Sequence, residues 1–256
     1  MIMRISAELS HICPVADIGL HARALEERKY YRIWIPDTIV SPWEYWIAST
    51  LVVENTKQTR VGLGVTSPYA RSPVILAQAL STLNNLSGGR ISLSLGKGTP
   101  RFLEKAGLQQ HENAVEEAIC IIRGLVSGER VSFRGEVFQI DGMLLRTPPG
   151  PEPIPLYLAA VSEGSWQLAA KTADGIATFI TDDLKAKKKK FLRERELPVA
   201  VLVPFSARRK DFFRQALNSP GQLAATIEQL QSWGIDELIL AYADLEDLDV
   251  VSSVLN

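Results

Sequence analysis

The sequence alternates short runs of β-branched and aliphatic residues with segments of helical periodicity from one end to the other. Such alternation is typical of repeated βα units, which build parallel sheets covered by helices. Eight runs are strand-like, at residues 4–9, 32–36, 60–66, 90–95, 154–161, 175–180, 198–205 and 237–242. Eight βα units in 256 residues predict one α/β domain over residues 1–256, a (β/α)8 TIM barrel.

The segments between these runs carry ordinary helix signals. Ser219-Pro220 is typical of an N-cap followed by a first-turn proline, and Gly234 ends the same predicted helix. Gly128 ends the fourth predicted helix, and the two β-prone runs around Arg134-Gly135-Glu136 predict a hairpin inserted before the fifth strand. The alternative, an open doubly wound sheet, is disfavoured because the first βα junction, ELSHICPVAD, lacks a dinucleotide-binding glycine turn.

Composition narrows the class of protein. Lys plus Arg at 28 against Asp plus Glu at 29 leaves no global field to attract nucleic acid, and no apolar stretch approaches a membrane span. The N-terminus has no signal-like apolar core and two cysteines form no disulfide framework, so we expect a cytoplasmic protein. The three histidines show no metal-ligand spacing, so no metal site is predicted. Lysines at 185 and 187–190 could contact an anionic ligand tail, although a solvated helix face is favoured.

Barrel enzymes build their active sites where strands end, and two carboxylates follow strand ends here. Glu8 follows the first strand, and we expect its side chain to enter the barrel mouth, where burial would raise its pKa and suit it to acid/base chemistry. The alternative is an arginine-paired or surface glutamate. Asp37 follows the second strand and could be catalytic or could cap the next segment.

Small residues mark three further strand ends. Gly62 and Gly64 interrupt a strand, which is costly unless a bulge or a flat ring needs the space. Gly96-Lys97-Gly98 is a glycine-lined loop or a plain tight turn. Ala159-Ala160-Val161-Ser162 leads into a helix whose free amides could meet a phosphate, with N-capping by Ser162 as the simpler interpretation. With no serine placed as a nucleophile elbow, these strand ends favour chemistry by a bound organic cofactor.

Three motifs in order carry a family resemblance: GLGVTSPYARSP from Gly62, LNNLSGGR from Leu83 and LGKG from Leu95. They resemble the luciferase-like flavin oxidoreductases, and within them the branch of methylenetetrahydromethanopterin reductase. Further similarity runs through IIRGL from Ile121, PIPLYLAA from Pro153 and ADG from Ala173. The chain departs from the family after the sixth strand, where it is shorter, so part of the wall around the cofactor tail is expected to be missing.

The resemblance implies the barrel fold, a cis Gly64–Val65 peptide at a bulge behind the cofactor ring, and a homodimer. It implies coenzyme F-420, a deazaflavin, with FMN as the alternative. Glu8 and Asp37 match the strand-end acids of the reductase branch. The implied cofactor contacts are Gly64, Val65, Thr66 and Ser67 at the ring, the loop Gly96, Lys97 and Gly98, and Ala159, Ala160, Val161 and Ser162 at the ring or tail. The implied activity is hydride transfer to or from a small or pterin-like substrate; the alternatives are an FMN-dependent monooxygenase and a non-catalytic flavin-binding protein.

Overall fold

Eight parallel strands close into a barrel in the computed structural model, which describes residues 2–38, 41–209, 211–213 and 215–255. Barrel order is β1, β2, β3, β4, β7, β8, β9 and β10, and β10 pairs with β1. These strands are β1 Arg4–Glu8, β2 Arg32–Ile35, β3 Arg60–Thr66, β4 Ile91–Leu95, β7 Leu156–Ala159, β8 Gly175–Phe179, β9 Val199–Phe205 and β10 Glu237–Tyr242. The predicted fold is confirmed, because all eight predicted strands are barrel strands.

Helices follow every barrel strand and cover its outer face. They are α1 Ile18–Glu27, α2 Tyr45–Glu54, α3 Pro73–Ser87, α4 Pro100–Lys105, α5 Ala114–Val126, α6 Glu163–Thr172, α7 Leu184–Phe191, α8 Pro220–Ser232 and α9 Leu245–Leu255. The cap at Ser219 is confirmed, since its hydroxyl accepts a hydrogen bond from the amide of Gln222 with Pro220 in the first turn. Gly234 follows α8 with φ +67°, a left-handed conformation that glycine adopts without strain. No helix in the described ranges is long and apolar enough to cross a membrane.

The predicted hairpin is also present, as the antiparallel strands β5 Val131–Arg134 and β6 Gln139–Met143 between α5 and β7. A buried carboxylate on α5, that of Glu117, anchors its turn by accepting hydrogen bonds from the amides of Glu136, Val137 and Phe138. Gly135 leaves space for this carboxylate, because a Cβ there would lie 2.2 Å from Glu117 Oε2. The insertion is therefore fastened to the helical layer.

Side chains alternate between two cores along each barrel strand. On β1, Ala7 belongs to the large core between barrel and helices, whereas the Ser6 hydroxyl donates a hydrogen bond to the carboxylate of Glu237. The barrel interior is filled by an aromatic and apolar cluster of Trp34, Tyr157, Ala200, Ile239 and Leu202. Glu8 lies two residues after Ser6 on β1, so its side chain also points into the barrel.

Gly62 is explained by this interior rather than by a cofactor. A Cβ at Gly62 would lie 2.4 Å from the indole ring of Trp34, so the flat ring that needs the space belongs to the protein. Gly175 on β8 likewise leaves space for Tyr157, because a Cβ at Gly175 would lie 2.3 Å from the tyrosine ring. Both glycines permit large aromatic side chains to fill a narrow barrel.

Candidate functional site

A small pocket of about 60 Å³ opens at the carboxyl ends of the barrel strands. Its lining residues are Glu8, Trp34, Gly64, Val65, Ala159, Val161, Ala177, Thr178, Phe179, Leu202 and Ile239. A larger cavity of about 390 Å³ lies near the amino ends of β1 and β2, where Arg4 and Tyr31 line it. We place the candidate site in the smaller pocket, because barrel enzymes bind their substrates at the carboxyl ends of the strands.

Glu8 is the ionisable side chain in this lining. It is partly enclosed, and its carboxyl group has no hydrogen bond or ion pair within the described ranges. Removal from water raises the pKa of the Glu8 carboxyl from 4.5 to about 8, so the group is mostly protonated at neutral pH. A neutral carboxylic acid beside apolar walls can give a proton to a bound molecule and take one back. The expected placement of Glu8 in the barrel mouth is confirmed, while its catalytic role stays a prediction.

The third strand carries the predicted bulge. The Gly64–Val65 peptide is cis, and the pairing of β3 with β4 changes register between Leu63 and Thr66. Gly64 has φ +130°, and a Cβ there would lie 2.4 Å from the carbonyl oxygen of Ser94. The bulge turns the side chain of Val65, 39% exposed, toward the pocket. This part of the site therefore offers a smooth apolar surface.

Thr66 and Ser67 follow the bulge, and both are buried outside the pocket lining. The Thr66 hydroxyl donates a hydrogen bond to the carboxylate of Asp37 rather than facing the pocket. A contact between these two residues and a ring edge stays a prediction.

The carboxylate of Asp37 interacts with two other side chains of the protein. It accepts the hydrogen bond from Thr66 and forms an ion pair with Arg71, with 2.7 Å from Nη1 to Oδ2. Arg71 also pairs with Glu44, at 2.7 Å from Nη2 to Oε1. The expectation that Asp37 could cap the next helix is wrong, because Glu44 caps α2 by accepting hydrogen bonds from two first-turn amides. This geometry favours a positioning role for Asp37 behind the bulge over direct proton transfer.

Gly96 and Ala159 form the base of the wall beside Val65. A Cβ at Gly96 would lie 2.6 Å from Cγ1 of Val65 and 3.0 Å from Cβ of Ala159. Glycine at 96 thus lets the bulge and β7 approach each other. Lys97 and Gly98 lie outside the pocket and are exposed, with their carbonyl oxygens accepting hydrogen bonds from the side-chain amide of Gln110.

The segment after β7 divides between the pocket and the next helix. Val161 lines the pocket and is 48% exposed, whereas Ala160 is fully buried. Ser162 is the N-cap of α6 and accepts a hydrogen bond from the amide of Ser165, so its simpler interpretation as a cap is confirmed. A phosphate contact here stays a prediction.

Three lysines of the cluster on α7 form ion pairs. Lys187 donates a hydrogen bond to the carbonyl oxygen of Val161 and pairs with Asp183. Lys188 pairs with Asp236, and Lys190 pairs with Glu163. These contacts favour a helix surface held by ion pairs over a free cationic patch.

Six lining residues were missed by sequence reasoning: Trp34, Ala177, Thr178, Phe179, Leu202 and Ile239. Five are apolar side chains within predicted strands, where an apolar residue looks like ordinary core. Nothing in the local sequence separates these pocket residues from core residues, because the separation exists only after the barrel is closed.

The fold and this pocket define an α/β-barrel protein with an apolar site beside a cis-peptide bulge. A family model described as luciferase-like monooxygenase matches residues 3–200. The chain therefore belongs to the luciferase-like monooxygenase family.

Its relatives include the 5,10-methylenetetrahydromethanopterin reductases of Methanolobus tindarius and Archaeoglobus fulgidus. Identity is 30% and 33%, over 64% and 62% of this chain, and over 50% and 48% of the respective relatives. The chain thus spans about half the length of the curated relatives that it matches. A solved F420-dependent secondary alcohol dehydrogenase, in complex with an F420-acetone adduct, superposes with a TM-score of 0.86 at 18% identity and covers 99% of this chain and 98% of that one. At that identity the superposition supports the fold alone.

Proposed function

We propose that this protein is an oxidoreductase that transfers a hydride between coenzyme F-420 and a small or pterin-like substrate. The observation that carries the proposal is the Glu8 carboxyl, kept neutral by burial, in the same apolar pocket as the Gly64–Val65 bulge. Two reductase relatives match this chain at 30% and 33% identity over 64% and 62% of its length. A proton donor beside an apolar surface suits a reaction in which hydride and proton are delivered to one substrate.

The residues around the pocket fit a flat ring. Val65 and Ala159 present small apolar surfaces at the mouth, and Gly96 beneath them has no room for a Cβ. We assign Gly64, Val65, Gly96, Ala159 and Val161 to the ring. Lys97, Gly98, Ala160 and Ser162 are the candidates for contacts with the tail, and Thr66 and Ser67 for contacts with the ring edge. The bound deazaflavin would supply the hydride chemistry, which no side chain of the site can provide.

Glu8 is the proposed acid/base residue. Its protonated carboxyl would donate a hydrogen bond to the acceptor atom of the substrate, orient it, and hold the proton that this atom takes up. The apolar side chains of Phe179, Leu202 and Ile239 would exclude water around that proton. Asp37 would act indirectly, by holding Thr66 next to the bulge.

The first test is a pair of binding titrations on the purified protein, with F-420 and with FMN, followed by absorbance. We expect tighter binding of F-420, and equal or tighter binding of FMN would contradict this assignment. In the F-420-loaded protein, Glu8→Gln should lower the single-turnover rate about 10²- to 10⁴-fold with little change in coenzyme affinity. A lower melting temperature with an unchanged rate would instead make Glu8 a structural residue.

An FMN-dependent monooxygenase is the second candidate, favoured by the family description itself. Oxygen consumption and oxygenated product with reduced FMN would support it over hydride transfer. A non-catalytic flavin-binding protein remains the third candidate, to be supported by tight binding of either cofactor without turnover.

We also propose that the protein is a homodimer in the cytoplasm. The family resemblance supports the dimer, and the two free cysteines, Cys13 and Cys120, suit a reducing compartment. Sedimentation equilibrium would test the dimer, and fractionation of the source cells would test the location.

A further inference from the structure

Trp34 is among the most deeply buried residues that line the pocket, with 2% of its surface exposed. Its indole Nε1 donates a hydrogen bond to Oε1 of Glu237 at 2.8 Å. The ring of Tyr157 meets the indole edge-on, with 5.6 Å between centroids and 84° between planes. On the paired strand β3, Gly62 has no side chain where a Cβ would lie 2.4 Å from the indole. These contacts leave the indole a single position.

Glu237, which accepts the hydrogen bond from the Trp34 indole, lies inside the barrel. The residue is 3% exposed, and its carboxylate accepts a second hydrogen bond from the hydroxyl of Ser6 at 2.7 Å. Its other oxygen, Oε2, lies 3.4 Å from Nη1 of Arg32. The guanidinium of Arg32 is in turn 5.0 Å from the ring centre of Trp34 and 5.1 Å from that of Tyr157. Cation, carboxylate and two rings thus form one buried unit beneath the pocket.

Such a unit is better suited to fixing geometry than to adding stability. A buried ion pair recovers little free energy beyond its own desolvation cost, and Arg32 Nε and Nη1 make no hydrogen bond among the described residues. The hydrogen bond between Trp34 and Glu237, by contrast, orients both groups that make it. The group oriented here is the indole that closes the inner end of the pocket. The depth of the pocket is therefore set by Trp34 and maintained by Glu237.

The chemistry around that inner end restricts what can enter. Trp34, Leu202 and Ile239 present apolar atoms, and the nearby acid, Glu8, is neutral at pH 7. A charged group placed against these surfaces would lose its hydration without compensation. The space, about 60 Å³, also admits only a short group.

We propose that Trp34 is the specificity-determining residue of the pocket, that Glu237 is its positioning residue, and that the reacting end of the substrate is short and uncharged, with apolar groups around its acceptor atom. This inference rests on the proposed function only in calling the occupant a substrate. The selectivity belongs to the pocket and can be measured without coenzyme.

The test uses three neutral ketones of increasing size, namely acetone, cyclohexanone and acetophenone, with acetate as a charged probe that matches acetone in size. Binding to the coenzyme-free protein is followed by ligand-observed NMR. In the wild type we expect acetate to bind at least about tenfold more weakly than acetone, a difference of about 1.4 kcal/mol. Trp34→Leu should raise the affinity for acetophenone relative to acetone at least about tenfold, with Trp34→Phe intermediate. Trp166→Phe is the control, because Trp166 is equally buried on α6 but does not line the pocket.

Glu237→Gln tests positioning. We expect faster hydrogen exchange at the Trp34 indole, identified as the NMR signal missing in Trp34→Phe, together with a several-fold loss of size selectivity. Ser6→Ala removes the second hydrogen bond to Glu237 and should reduce the selectivity less than Glu237→Gln does, because the carboxylate still accepts from the Trp34 indole. An unchanged ketone ratio in both Trp34 variants, or acetate binding as tightly as acetone, would overturn the proposal. Failure of F-420 to bind, with the ketone pattern intact, would reject the proposed function and leave this inference standing.

Discussion

Asp37 and Arg71 form an ion pair behind the β3 bulge, with 2.7 Å between Oδ2 and Nη1. The same carboxylate oxygen accepts the hydroxyl hydrogen of Thr66, the residue that directly follows the cis Gly64–Val65 segment. Two strand ends are thereby joined: the acid comes from the end of β2, and the hydroxyl from the end of β3. The bulge is thereby linked to the end of β2 as well as to its own strand.

Replacing Asp37 with Asn should therefore disturb both stability and binding. Loss of the charged acceptor leaves Arg71 with one carboxylate partner, so we expect the free energy of unfolding to fall by about 1 to 3 kcal/mol. Coenzyme affinity should fall as well, because a neutral amide oxygen holds the Thr66 hydroxyl more weakly than a carboxylate does. Denaturant unfolding and coenzyme titration measure the two effects. Asp249→Asn removes the exposed partner of Arg28 and should cost less than about 1 kcal/mol; equal losses in the two variants would argue against a special role for Asp37.

Glu8 should make stability depend on pH. Its pKa is about 8 in the folded state and near 4.5 in the unfolded chain, so the folded state retains the proton between these values while the unfolded state releases it. The stability associated with the neutral carboxyl is complete below pH 4.5 and is lost as the pH rises to about 8, by no more than about 1.4 kcal/mol per pH unit. Glu8→Gln should flatten this part of the stability curve. Parallel curves for the two proteins from pH 5 to 8 would contradict the raised pKa, and the exposed Glu54→Gln is the control.

Gly96→Ala should impair the pocket wall. The added methyl group would meet Val65 Cγ1 at 2.6 Å and Ala159 Cβ at 3.0 Å, so one of these two pocket-lining neighbours must move. We expect coenzyme Kd to rise at least about tenfold, equivalent to about 1.4 kcal/mol, as measured by titration. Gly164→Ala in the first turn of α6 meets no atom within 4 Å and serves as the matched control. Unchanged affinity in Gly96→Ala would remove this wall from the binding site.

Gly62→Ala should destabilise the barrel interior. A Cβ at this position lies 2.4 Å from the Trp34 indole, which is itself confined by Tyr157 and Glu237. Overpacking of this kind costs about 1 to 3 kcal/mol, measurable by chemical denaturation. Gly221→Ala on α8 has open space around it and should have a much smaller effect. A neutral result at Gly62 would mean that the indole can shift, which would also weaken the case for a fixed pocket depth.

The architecture could be predicted from the sequence because local signals mark each barrel strand and most helices. These signals are strand-like runs, helical periodicity and cap residues. The strand at Arg60–Thr66 and the strand at Glu237–Tyr242 were predicted to the residue, since turn and cap residues border both of them. The hairpin was found in the same way. Its anchor on Glu117 was not, because that contact joins α5 to residues about twenty positions further along the chain.

The candidate site could likewise be predicted from the sequence only in part. Glu8 and the Gly64–Val65 bulge were accessible from the sequence, one as a carboxyl at a strand end and the other through a family motif. The sequence also left Asp37 open between catalysis and capping, and only the fold places it against Arg71 and Thr66. Gly62 was interpreted as space for a ring, and the tertiary structure identifies that ring as the indole of Trp34.

Strand order, helix caps and the number of βα units were thus determined by the sequence itself, because propensity and periodicity act between residues close in the chain. Which inward side chains form the pocket, and which carboxylates are paired, was decided only by the closed barrel. Trp34 and Glu237 are 203 positions apart and meet through one hydrogen bond inside it. No local pattern encodes such a contact, since it exists only when β10 pairs with β1 and brings distant strand ends around a common axis.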